Sequence, residues 1–366
     1  MRVEEITTKK LKDYLKSKGW KIDKFNQNLD TIKLNGFEII IPNRESLQDY
    51  NRRIQDLIIS LSTIEEKKIE EIIDSIVDYG YDLFKMRFVD SKTSDGSISL
   101  EYANSAIKQI VDIIKYSACS EILPQSRYKT PYKEARELVK NCELAQTEIG
   151  SFIIKIRVPL DETYLKDKEK KKEFIEDLGR KTLNRLISGL DDLEKIDLSS
   201  DEVFKQTYDE KLNKNVCDAM SRLLVDKDEG LSLEISAKWN TEKELKEKLK
   251  SFAKVDSNKY YQKFKKMSVL LEQIPDTKEV IIEGKVQDLK RVDEDVKFEK
   301  RLIHIFSTEQ KRTINTLLDE QDYKIACNAH RDKKFVKIKG ILKQKSGRWV
   351  LEDSKDFEVV EKIEKT

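Results

Sequence analysis

The chain is poor in the residues that punctuate folds or carry common chemistries, with 5 prolines, 11 glycines, 4 cysteines and 2 histidines in 366 positions. So little glycine and proline excludes a collagen-like or low-complexity chain. The cysteines, Cys119, Cys142, Cys217 and Cys327, stand without paired spacing, which argues against a disulfide framework or a clustered metal site. His304 and His330 alone give imidazole catalysis little material. A phosphate-cradling glycine loop and a dinucleotide fingerprint are both missing, so no cofactor, no metal and no catalytic residue is expected. No uninterrupted apolar run approaches membrane-spanning length, and the opening Met-Arg-Val-Glu-Glu-Ile has no apolar leader core. These two absences predict a cytoplasmic protein with no membrane partner. An excess of one charge is lacking too: 38% of residues are charged, yet the net charge is +2. Any attraction to a polyanion must therefore come from local patches.

What is present is length enough for two or three domains, and a composition rich in Lys, Ile, Glu and Asp that suggests an AT-rich bacterial genome. The patterning predicts an α+β protein, with a mixed α/β N-terminal region and a C-terminal five-stranded β-barrel. Its expected divisions are 1–64, a small α-β-β-β-α unit; 65–274, a helix-rich α+β domain; and 275–366, the barrel.

In 1–64, an amphipathic helix with Leu11, Tyr14 and Leu15 as its apolar stripe stops at Gly19. Three short strands and a long helix follow. This order is similar to double-stranded-RNA-binding domains and to small mRNA-cleaving toxins. Those toxins place a histidine on the small sheet, and this stretch has none, so RNA cleavage is not expected while recognition of RNA shape stays open.

In 65–274, strands at 83–89, 151–158 and 231–239 are expected to share a sheet, and helices are expected at 65–81, 100–122, 174–196, 199–224, 241–252 and 257–272. The most distinctive local sequence runs from Cys142 to Leu160. Gln146, Thr147, Glu148 and Ser151 crowd polar groups around a glycine there and form a possible functional turn, although turn chemistry asks for the same residue types. Together with Gly19-Trp20, Asp49-Tyr50 and Ala329-His330-Arg331, this segment resembles a widespread, uncharacterised bacterial protein family. The resemblance implies no activity; it suggests a place beside phage-defence genes and a protein partner encoded nearby.

In 275–366, β-branched residues fill a run too long for one flat strand, and Gly284 inside it allows a bend. Two strands follow, then a helix opening on acids and closing on His330 and Arg331, then two more strands. The order β-β-β-α-β-β resembles the OB-fold, a small Greek-key barrel whose second and third strands often hold oligonucleotides. Alternation turns Val336, Ile338, Gly340 and Leu342 inward and Phe335, Lys337, Lys339, Ile341 and Lys343 outward. Phe335, Lys337, Lys339, Lys343, Lys345 and Arg348 thus offer cations beside an aromatic ring, the pairing that single-stranded nucleic acid needs for its phosphates and bases. Lysines on an exposed strand also discourage edge pairing, which is the structural alternative. The expectation is a non-enzymatic nucleic-acid-binding or adaptor subunit, with anti-phage defence as its setting; the alternative is a protein–protein scaffold that binds no nucleic acid.

Overall fold

The computed structural model describes residues 2–89, 97–145, 152–160, 177–225, 231–241, 249–274, 279–289, 301–307, 312–345 and 348–360. Contacts divide the chain into two units, Met1–Pro124 with Glu134–Leu270, and Gln125–Lys133 with Leu271–Thr366.

The first unit opens with α1 (Thr8–Ser17), β1 (Lys21–Lys24), β2 (Leu29–Leu34), β3 (Phe37–Pro42), α2 (Tyr50–Ile64) and α3 (Ile69–Val77). Thr7 caps α1 by accepting from the Lys10 amide, and the stripe of Leu11, Tyr14 and Leu15 is buried. Asn35 and Gly36 both take positive φ between β2 and β3, the backbone that a tight hairpin demands. The antiparallel sheet β1-β2-β3 turns Ile32 and Ile41 onto Ile54, Ile58 and Leu61 of α2 and Ile72 and Ile76 of α3.

The rest of this unit is built on an antiparallel sheet in the order β5-β6-β4-β7-β8. Its elements are β4 (Tyr81–Val89), α4 (Leu100–Ile122), α5 (Lys133–Asn141), β5 (Glu143–Leu144), β6 (Ile153–Pro159), α6 (Leu178–Asp191), α7 (Asp201–Thr207), α8 (Lys214–Val225), β7 (Ser232–Lys238), β8 (Phe252–Asp256) and α9 (Ser257–Gln273). Register sets Phe84 and Met86 of β4 between Ile156 and Ile154 of β6 and Ala237 and Ile235 of β7. All six are buried and form one apolar face. The three expected strands do share this sheet.

Two helices differ from the sequence reading. The one expected over 199–224 is broken into α7 and α8, because Asn213, fully buried, starts a new helix by accepting from the Val216 amide and donates to the Tyr116 carbonyl and Ser120. The one expected over 241–252 is a strand where it is described: Phe252 opens β8, whose Ala253 and Val255 are buried beside β7. Pairing with a neighbouring strand overrides the local helical preference of so short a segment.

The second unit is a closed barrel, with β9 (Glu279–Leu289), β10 (Arg301–Ser307), β11 (Arg312–Leu318), α10 (Glu320–Arg331), β12 (Phe335–Lys345) and β13 (Arg348–Val360). Strand order around it is β10-β11-β13-β12-β9, closing through β9 with β10. All neighbours are antiparallel except β11 with β13, which is the connectivity of an OB-like barrel. β9 bends so that Glu279–Lys285 pairs with β12 and Gly284–Leu289 with β10. A side chain at Gly284 would put its Cβ 2.1 Å from the Phe306 carbonyl oxygen, so only glycine lets the two strands close. The inward set predicted for β12, Val336, Ile338, Gly340 and Leu342, is buried.

Candidate nucleic-acid interface

On β12 the outward residues are where alternation puts them, but their charges are matched. Lys337 pairs with Glu358 at 3.0 Å, Lys339 with Asp356 at 3.9 Å, and Lys343 with Glu352 at 2.7 Å, while Lys345 also reaches Glu352. Every one of these carboxylates belongs to β13. Hydrogen bonds from Lys343 and Lys345 hold the Glu352 carboxyl below its usual range, and the hydrogen bond to Glu358 raises the Lys337 ammonium above its own. Phe335 carries the Lys285 ammonium 4.9 Å from its ring centroid. Arg348 is exposed at the start of β13. The possible functional turn, Gln146, Thr147, Glu148 and Ser151, lies outside the described residues.

A second surface, not singled out by sequence reasoning, lies on β10 and β11. Ile303, Ile305, Ile314, Thr316 and Leu318 point inward and are buried. The outward residues stand in cross-strand pairs, Leu302 with Leu317, His304 with Asn315 and Phe306 with Thr313. Leu302, His304, Asn315 and Phe306 are half-buried, and Leu317 and Thr313 are exposed. Towards β9, His304 Nδ1 lies 3.5 Å from the Asp288 carboxylate, and Thr313 donates to Gln287 Oε1 at 2.9 Å.

Neither strand contains an Asp or Glu; their ionisable residues are Arg301, His304 and Arg312. The Arg301 guanidinium stands 5.0 Å from the Tyr323 ring of α10, and that of Arg312 stands 4.6 Å from the Trp349 ring. The resulting surface has apolar and aromatic groups at its centre and cations at both ends. The signal for it was present in the sequence as two acid-free strands in a chain with 69 acidic residues.

Among the described residues, no group of three or more His, Cys, Asp or Glu is placed to hold a metal ion, and no helix is long and apolar enough to cross a membrane. These features define an α+β protein with an OB-like barrel as its C-terminal unit. Comparison with protein-family models, curated proteins and solved structures found no significant match.

Proposed function

We propose that this protein is a non-enzymatic nucleic-acid-binding subunit whose barrel takes a single strand across β10 and β11. The observation that supports this reading is the acid-free pair of strands, on the face that barrels of this connectivity commonly use for oligonucleotides. Bases stack on Phe306 and His304 and pack on Leu302 and Leu317. Phosphates run toward Arg301 at one end and Arg312 at the other. The lysines of β12 act at the margin, exchanging a carboxylate partner for a phosphate.

Fluorescence anisotropy of the full chain with labelled single-stranded DNA and RNA tests the proposal. Replacing both Phe306 and His304 by Ala is expected to weaken binding about tenfold or more, since base stacking on a ring contributes about 1–3 kcal/mol. Replacing Lys337, Lys339, Lys343 and Lys345 together by Glu is expected to lower affinity less and to flatten its dependence on salt. Unchanged affinity in both variants rejects the barrel as the site.

The cross-strand matching of charge on β12 and β13 favours a second reading, a protein-binding scaffold, because a balanced surface offers little to a polyanion. Co-elution with proteins encoded by neighbouring genes in the absence of nucleic acid distinguishes the two.

A further inference from the structure

The first unit holds a polar cleft that the barrel reading does not use. It has a volume of about 90 Å³ and lies between the C-terminal turn of α3 and the end of β7, where Asp74, Ser75, Asp78, Tyr81, Trp239 and Asn240 line it. Taking roughly 30 Å³ for a water molecule, the space suits about three waters or one small head group.

The cleft is rigidly built. Arg180 clamps the chain leaving β7: its Nε and Nη2 donate to the two oxygens of Asp82 at 2.8 Å each, and Nη2 also donates to the Asn240 carbonyl at 2.8 Å. The Asn240 amide donates back to Asp82 Oδ1 at 2.7 Å, and its side-chain Nδ2 to the Asp78 carbonyl at 3.3 Å. The Trp239 indole donates to Ser251 Oγ at 2.9 Å. On the other wall, Lys238 bridges to Asp74 at 2.7 Å.

Asp78 is the unsettled member. It is 8% exposed, and its Oδ1 accepts from Arg157 Nε at 2.8 Å. That one guanidinium is shared with Glu5, which it meets at 2.9 Å. The other carboxylate oxygen, Oδ2, is buried with no hydrogen-bond partner. A buried carboxylate oxygen without a donor calls for one. Lys10 and Glu143, of opposite sign, are the remaining ionic groups acting on this cluster. Asp78 also caps the C-terminus of α3, whose dipole favours positive charge.

We propose that this cleft binds a small organic monocation, an alkylammonium head group, with its N–H bonds directed at Asp78 Oδ2 and the Ser75 hydroxyl and its carbon against the Trp239 indole. Aromatic walls suit an organic cation. A calcium-like ion needs six or more oxygen ligands, more than two carboxylates and a hydroxyl supply. An anion would meet two aspartates.

The test follows the Trp239 indole N–H of the full chain by NMR, assigned with Trp239→Phe, during titration with methylammonium chloride against sodium chloride at equal ionic strength. A saturable shift with methylammonium, absent with sodium and lost in Asp78→Asn, is expected. Because Asp78→Asn also weakens the Arg157 pair, Ser75→Ala supplies a milder variant, expected to raise Kd about fivefold through one lost hydrogen bond. A drift that does not saturate, that sodium reproduces, or that persists unchanged in both variants overturns the proposal and leaves a merely hydrated cleft. The titration contains no nucleic acid, so its failure leaves the barrel reading untouched.

Discussion

Arg180 and Asp82 show what single residues hold in place. Asp82 is fully buried and Arg180 nearly so, joined by two parallel hydrogen bonds. Burial pushes the Asp82 carboxyl up, against the opposing pull of the guanidinium. Such a pair adds little net stability relative to an apolar pair, but removing one member strands the other. Arg180→Met is therefore expected to lower the unfolding free energy by about 3–5 kcal/mol in a urea titration, whereas losing an exposed pair such as Arg53 with Asp49 changes it by about 1 kcal/mol at most. A carboxylate at the end of α6 governs pH dependence in the other direction. Hydrogen bonds from Lys195 and Lys211 hold the Asp192 carboxyl below its usual range. Its contribution is complete above about pH 4, where the unfolded carboxyl is ionised, and drains away as pH falls through the native value, because the unfolded chain then binds the proton first. Asp192→Asn should flatten the acid limb of a plot of melting temperature against pH and leave the neutral region's slope unchanged; an unaltered acid limb would assign that limb to other groups.

At the scale of elements, the barrel depends on two close approaches. The missing Cβ at Gly284 lets β9 pass the Phe306 carbonyl, and that at Gly340 lets β12 pass the Glu352 carbonyl, where a Cβ would stand at 2.7 Å. Overpacking a buried position typically destabilises by about 1–3 kcal/mol. At Gly284 the obstacle is backbone, which cannot swing aside, so Gly284→Ala is expected at or beyond the upper end, read as a lower melting temperature by circular dichroism. Gly36→Ala is a control of another kind: nothing lies within 4 Å, and its strain comes from φ alone. The bend at Gly284 was legible in the sequence because a long β-branched run interrupted by glycine has few other solutions, and the inward face of β12 was legible because its period of two is unbroken. Strand β8 was not, since five residues carry too little pattern to outweigh their neighbours. Neither was the break at Asn213, whose partners on α4 are 93 and 97 residues away. The lysines of β12 were correctly placed outside the barrel, but their carboxylate partners come from the next strand, Glu352 being nine positions beyond Lys343. Local charge counts therefore described a basic strand where pairing makes a neutral hairpin. The acid-free surface of β10 and β11 escaped for the converse reason: it is marked by missing residues, which a search for clustered cations does not register.

At the scale of the molecule, the barrel unit is discontinuous. The chain leaves the first unit after Pro124, contributes Gln125–Lys133 to the second, and returns. The inserted segment is anchored by rings. Tyr132 lies 4.9 Å, centroid to centroid, from Trp349 at the start of β13, and Tyr128 meets Tyr132 edge-on at 5.5 Å. All three are almost wholly buried. Arg127 pairs with Glu272, and Ser126 donates to the Ile274 carbonyl at 3.3 Å, so the segment is fastened along its length. On the opposite side of the indole stands the guanidinium of Arg312, one end of the proposed binding face. A segment more than two hundred residues before Trp349 thus completes the packing of a barrel strand, and the barrel should not reach full stability until that long loop has closed. Tyr132→Ala removes a buried aromatic ring and is expected to destabilise by about 3 kcal/mol or more. Hydrogen exchange locates the effect. If Gln125–Lys133 serves the second unit, amides of β11 and β13 exchange faster in the variant while those of β4 and β6 keep their wild-type rates; acceleration shared equally by β4 and β6 would mean that the two units unfold as one.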